Sequence, residues 1–282
     1  MRPLVAVRHA TPFDPSFVAK SPLFWPIERA ARLLASYDDF PPPVALDGVF
    51  EGDPPVRFVP ATPRPRGRRR GPLDLCSMYD ARITLERRVP TRARSWHDLL
   101  NALVWGTFPM AKGALHARQH RAMAERVPHG AWTLPPARTR EQDALALIDE
   151  GGVVVLAIDV GGASRALRQH PEALREMTAS GEAAAVIFGH AIYESLVFGV
   201  APAAVAAVVV ARDPVEHDLA READAALAQV LDDASRFRAP DELCRVDVSQ
   251  LGRASIGRDR STIPTTNVEA PISAGKRCER LM

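Results

Sequence analysis

The sequence predicts a single domain of the α/β or α+β class, a small mixed sheet with helices packed against it. Three observations lead there. Runs around Val153–Val155, 183–188 and 203–211 are short, apolar and β-branched or Ala-rich, as buried strands are. Segments around 96–104 and 214–233 place apolar residues at helical spacing. At 282 residues, with 46% hydrophobic and 25% charged residues, the chain has enough apolar surface for one large core.

In chain order, Ser21-Pro22 opens a helix through Ile27, Ala30, Ala31, Leu33 and Leu34, because proline suits a first turn. Phe40 and the prolines at 41–43 end it, closing an N-terminal helical segment over 1–40. From 41 to 72 prolines recur and the basic run Arg64–Arg70 appears. This composition predicts an extended surface loop, and a solvated loop is favoured over a phosphate-binding strip. The main domain is expected over 73–252. Tyr79–Val89 is expected to contain a short strand, and Ser95 reads as the N-cap of a helix from Trp96 that buries Leu99, Leu100, Leu103 and Val104. Pro109 breaks that helix, and a second runs from Met110 to Glu125.

Over 143–158, the Asp149-Glu150-Gly151-Gly152 tetrad supplies turn chemistry, so a β-hairpin is favoured over a helix followed by a strand. A Gly161-Gly162 turn follows, then two short helices, the second opened by Pro171. Strands are expected at Ala183–Phe188 and Ala203–Ala211, with a helix from Gly189 to Val197. Pro214–Asp233 reads as an amphipathic helix with Leu219, Ala223, Ala226, Leu227 and Val230 inward, and 253–282 as a disordered tail.

Several function classes lose support. With 36 basic and 34 acidic residues the net charge is only +2, against a general nucleic-acid or membrane-surface coat. Cys76, Cys244 and Cys278 are isolated, so a disulfide framework or thiolate zinc site is not expected, and a reducing, cytoplasmic location is. The longest apolar run, 201–211, is too short for a membrane helix. There is no Gly-x-Ser-x-Gly, Walker loop or Gly-x-Gly-x-x-Gly. Gly161-Gly162-Ala163-Ser164 serves either as an anion cradle or as a turn. Cys76 and Cys244 read as core residues, His116 and His120 as a surface pair, and Trp96 and Trp105 as packing anchors.

The chemistry concentrates in three places. His97 and Asn101 share a helix face with Asp98 beside it, and His190 and Glu194 repeat the same spacing at a helix start behind a strand. Asp149 and Glu150 sit at the expected hairpin tip. If these meet, His97, Asp149, Glu150 and His190 are the ligands or general base of a nitrogen/oxygen divalent-metal site. Asn101 and Lys112 would then position substrate. A satisfied polar network is the competing account of the same residues.

The run YDARITLERRVPTR…WHDLLNALVWGTFPMAKGALHARQ, with REQDALALIDEGG and FGHAIYESL after it, resembles the uncharacterised bacterial family called domain of unknown function 3025, over roughly Pro22 to Ala211. Its family-like polar positions are Trp96, His97, Asp98, Asn101, Lys112, Asp143, Asp149, Glu150, His190 and Glu194; the family carries Asn where this chain has His116. The resemblance implies no activity. The functional expectation is therefore a metal-assisted hydrolase acting on a phosphorylated or other anionic small molecule, with His97, Asp98, Asn101, Lys112, Asp143 and Glu194 as its catalytic groups. The rival is a non-catalytic protein that docks nucleic acid or an acidic partner through Arg64–Arg70.

Overall fold

The computed structural model describes residues 11–62, 71–170, 173–200, 205–213, 218–248 and 251. Its centre is a four-stranded mixed sheet of β3 (Gly152–Ala157), β4 (Ala183–Ile187), β5 (Val205–Ala211) and β6 (Cys244–Val246), in the order β4-β3-β5-β6. β3 runs parallel to β5 and antiparallel to β4, and β6 is antiparallel to β5. Every residue of β3 and β4 is buried, and all of β5 but its last. Helices cover the sheet, which explains continuous apolar runs where a half-exposed sheet would show alternation. The chain is thus an α/β domain, as the sequence predicts. A second sheet pairs β1 (Arg57–Pro60) with β2 (Arg88–Thr91), in parallel.

The helices are α1 (Glu28–Arg32), α2 (Tyr79–Glu86), α3 (Trp96–Thr107), α4 (Pro109–Arg126), α5 (Arg140–Gly151), α6 (Val160–Gln169), α7 (Ala173–Ser180), α8 (His190–Val197) and α9 (Leu219–Asp232). Ser95 caps α3 by accepting from Asp98 N, and Leu99, Leu100, Leu103 and Val104 are buried as expected. Ala223 and Leu227 of α9 face the core, with Leu219, Ala226 and Val230 packed at its margin. The N-terminal segment joins the same core: the Phe24 ring stacks on Tyr193 at 5.7 Å and Phe17 meets Trp96 edge-on at 5.3 Å. Pro22–Ile27 is a 3-10 helix that passes into the short α1, where the sequence reading had one α-helix.

Other expectations are corrected. Most of the stretch expected to contain a strand, Tyr79–Glu86, is helical and buries Ala81 and Ile83; the strand begins at its end, at Arg88, after Arg87 reverses the chain at φ 55°. The hairpin over 143–158 is instead a helix followed by a strand. Thr139 and Gln142 form a reciprocal capping box, and Ala144, Leu145 and Ile148 give α5 one apolar face. Asp149 and Glu150 therefore lie in its last turn. The stretch from 41 to 62 is not a surface loop: Pro43–Val49 forms a 3-10 helix, and Leu46, Val49, Val56 and Phe58 are buried. Docking against α3 and pairing with β2 orders it, which local composition does not register.

Gly161 and Gly162 lie in the first turn of α6, and the Asp159 side chain accepts from Gly162 N, so the chain's own carboxylate caps the place proposed for an anion. Cys76 is exposed, whereas Cys244 is buried. His116 is buried rather than on the surface, because its ring stacks on Trp105 and its Nδ1 lies 2.8 Å from Asp80. The Arg64–Arg70 run, Pro171, 214–217 and the 253–282 tail fall outside the described residues.

Candidate functional site

Two glycines bring the site together. Gly152 ends α5 and begins β3; a Cβ on it would lie 2.3 Å from Ile148 O. Gly189 N donates to Gly152 O at 2.8 Å, and a Cβ on Gly189 would lie 2.4 Å from Gly152 N and 2.6 Å from Glu150 O. Only glycines permit so close a crossing. It sets His190, first residue of α8, against the end of α5, where Asp149 and Glu150 stand. Helix α3 packs on α8 and supplies His97.

The two imidazoles meet edge to face, with ring centroids 4.5 Å apart and the Nε2 atoms at 3.2 Å. His97 Nδ1 lies 3.2 Å from Glu194 Oε2, one turn along α8 from His190. Glu150 Oε2 is 3.6 Å from His190 Nε2. One ligand atom from each of His97, Glu150 and His190 falls within 4.8 Å of the others. The cluster is open on one side, since the Glu150 and His97 side chains are 55% and 34% exposed while that of His190 is only 3% exposed.

The groups titrate as a coupled set. The Glu194 hydrogen bond raises the His97 pKa against the opposing effect of burial. Burial pushes His190 down to about 4, so it is neutral at physiological pH. Burial and the neighbouring Asp149 charge raise Glu150. For Asp149 itself burial acts upward, but Lys112 and the nearby imidazoles outweigh it and hold the carboxyl far below its ordinary range. The 3.2 Å approach of the two Nε2 atoms is of hydrogen-bond length, with the tautomers of the rings deciding which nitrogen donates.

The sequence-derived residues divide into three groups. His97, Glu150, His190 and Glu194 converge. Asp149, Asn101 and Lys112 lie behind them: Lys112 Nζ donates to Asp149 Oδ1 at 2.5 Å and to Asn101 Oδ1 at 2.7 Å, and is fully buried. Lys112 and Asn101 therefore hold the site's wall, not a substrate, and Asp149 is committed to Lys112. Asp98 and Asp143 stand apart. Asp98 accepts from Arg92 through the main chain and the guanidinium. Asp143 is exposed and six residues before Asp149 on α5, which turns it onto another helix face and into a cleft lined by Arg140, Leu167, Arg168 and Arg245.

Sequence reasoning passed over Tyr79, whose hydroxyl accepts from Asn101 Nδ2 at 3.2 Å, and the pair Asp80–His116. It also passed over Gly152 and Gly189, though the Gly-Gly and Phe-Gly-His strings carried the signal.

No helix among the described residues is long and apolar enough to cross a membrane. No curated protein and no solved structure matches the chain. A family model does match, over residues 68–252, beginning later and ending later than the stretch expected from the sequence, and taking in α2 to α9, the whole four-stranded sheet and every group of the His/Glu cluster. By that match, the chain belongs to the family described as protein of unknown function (DUF3025).

Proposed function

We propose that this protein holds a divalent metal between His97 Nε2, His190 Nε2 and Glu150, and hydrolyses a small molecule there. The observation carrying this reading is the 3.2 Å approach of the two Nε2 atoms beside a carboxylate. Ligand nitrogens on a tetrahedral ion with bonds of about 2.0–2.1 Å lie about 3.3 Å apart, so the pair needs little movement. Glu194 supports it further, because an acceptor on His97 Nδ1 is the usual outer partner of a ligating histidine. Three protein ligands with a solvent-facing side fit a catalytic centre better than a closed structural one. When bound, such an ion would supply hydroxide near neutral pH and polarise the scissile group.

Lys112, buried against Asp149 and Asn101, lends no support to the anionic or phosphorylated substrate that the sequence suggests. The test is metal content of untagged protein, followed by zinc and manganese titration and assay on p-nitrophenyl phosphate and p-nitrophenyl acetate. One metal per chain and metal-dependent turnover of either ester are expected. Absence of binding in both titrations removes the proposal.

A further inference from the structure

Asp143, turned away from the His/Glu cluster, lines a cleft of about 670 Å³ between the start of α5, the last turn of α6, β6 and the 3-10 turn Pro240–Glu242. None of the residues lining it belongs to that cluster, and Asp143 precedes Asp149 by six residues, about 9 Å of helix rise. The volume falls within the range of small-molecule pockets, about 300–1,000 Å³. Three guanidinium groups reach the cleft from elements far apart in sequence. Arg140 is paired with the Asp241 carboxylate. Arg168 donates Nη1 to Asp241 O at 3.1 Å and Nη2 to Glu242 O at 2.6 Å, which fixes the group in place without neutralising it. The Arg245 side chain, exposed in the middle of β6, makes no hydrogen bond or ion pair with the described residues. The Asp143 carboxylate likewise has no cationic partner among them. The buried Leu167 and Leu243 give the cleft an apolar floor.

Once Arg140 and Asp241 are set against each other, two guanidinium charges and one carboxylate remain. We infer that this cleft binds a phosphorylated small molecule that also carries hydroxyl or amino groups. Two guanidinium groups suit the dianion of a phosphate monoester, because each planar fork can donate a pair of hydrogen bonds to phosphate oxygens. An ionised carboxylate only accepts, so Asp143 repels the phosphate and takes hydroxyl or amino donors elsewhere on the same molecule. The apolar floor covers the carbon skeleton between the two ends. A bare anion would use neither Asp143 nor the floor. This site is separate from the metal-centre reading and does not depend on it.

The experiment is calorimetric titration of full-length protein in EDTA at low ionic strength, where exposed charges are least screened. The probes are ribose 5-phosphate and adenosine monophosphate, compared with ribose and inorganic phosphate. EDTA keeps metal from the His/Glu cluster, so the result stands whether or not zinc binds there. At least one ester should saturate a single site per chain. Ribose should not, and inorganic phosphate should bind at least about tenfold more weakly than that ester. Arg245→Ala removes an exposed side chain that has no partner to orphan, and should weaken the ester about tenfold or more, as expected for lost charge-assisted hydrogen bonds. Asp143→Asn should weaken the ester but not inorganic phosphate, a split that damage to the fold would not give. Absence of binding by both esters overturns the inference. So does ester binding undiminished in Arg245→Ala, which would place it elsewhere on the chain, or undiminished in Asp143→Asn. Inorganic phosphate bound as tightly as the ester also overturns it, leaving a charged surface with no organic subsite.

Discussion

His97 and His190, 93 positions apart in sequence, bring their Nε2 atoms to 3.2 Å, with Glu194 behind the first ring and Asp149 facing the back of the second. Each imidazole thus presents one nitrogen to the other and the second nitrogen to an acid. Neither ring's helix spacing alone would require this. The contact exists because α3 packs on α8 and because α8 begins against the end of α5.

His97→Ala and His190→Ala should each lower zinc affinity by at least about 100-fold, since each removes one of three ligands. His97→Ala should also lower the unfolding temperature, because it takes the imidazole partner from the buried Glu194 carboxylate. Zinc binding equal to wild type in both variants, measured by competition with a chromophoric chelator, would exclude the cluster as the metal centre.

The pH dependence of that affinity follows from His97. Its raised pKa means a proton must leave Nε2 before a cation binds there. Affinity should rise about tenfold per pH unit below that pKa and level off above it. In the metal-free protein the sign is reversed. Stabilisation from the His97–Glu194 pair is fully present below His97's ordinary value and is lost as pH rises through the raised one. Glu194→Gln should move the break in a zinc titration to lower pH; an unmoved break would mean that Glu194 does not set it.

Gly189→Ala tests the crossing that assembles the site. The added methyl would sit 2.4 Å from Gly152 N and 2.6 Å from Glu150 O, both main-chain atoms that cannot swing aside. A loss of about 1–3 kcal/mol in urea unfolding is expected, as for other overpacked positions, together with weaker metal binding. An alanine variant as stable as wild type would show that the two backbones separate easily.

Asp224 gives a stability prediction away from the site. Its carboxylate accepts from Met110 N and Ala111 N at the start of α4, and burial raises its pKa to about 6. A carboxyl raised in the folded state contributes stability that is fully present below its unfolded value near 3.8 and is lost as pH rises through about 6. The difference corresponds to about 3 kcal/mol between the two ends of that window. Asp224→Asn should therefore gain on wild type as pH is raised from 4 to about 7.5 in denaturant titrations. A constant gap between the two proteins would refute this.

The sequence by itself determined the fold class, the strands found at 183–187 and 205–211, the helices after Ser95 and Pro109, and the one-turn spacing of His97 and Asn101 and of His190 and Glu194 on their own helices. These depend on periodicity and capping, which act over a few residues and are written locally. Tertiary structure decided the rest. It made 143–151 a helix, because Ala144, Leu145 and Ile148 gain a core to bury into while the acids keep to its last turn. It also ordered the proline-rich stretch through Leu46, Val49, Val56 and Phe58, and placed Lys112 behind Asp149 instead of before a substrate. Those outcomes depend on which distant surface each residue meets. Distance through space is fixed only when helices pack, and two glycines with no side chain to hold them apart set how closely these do.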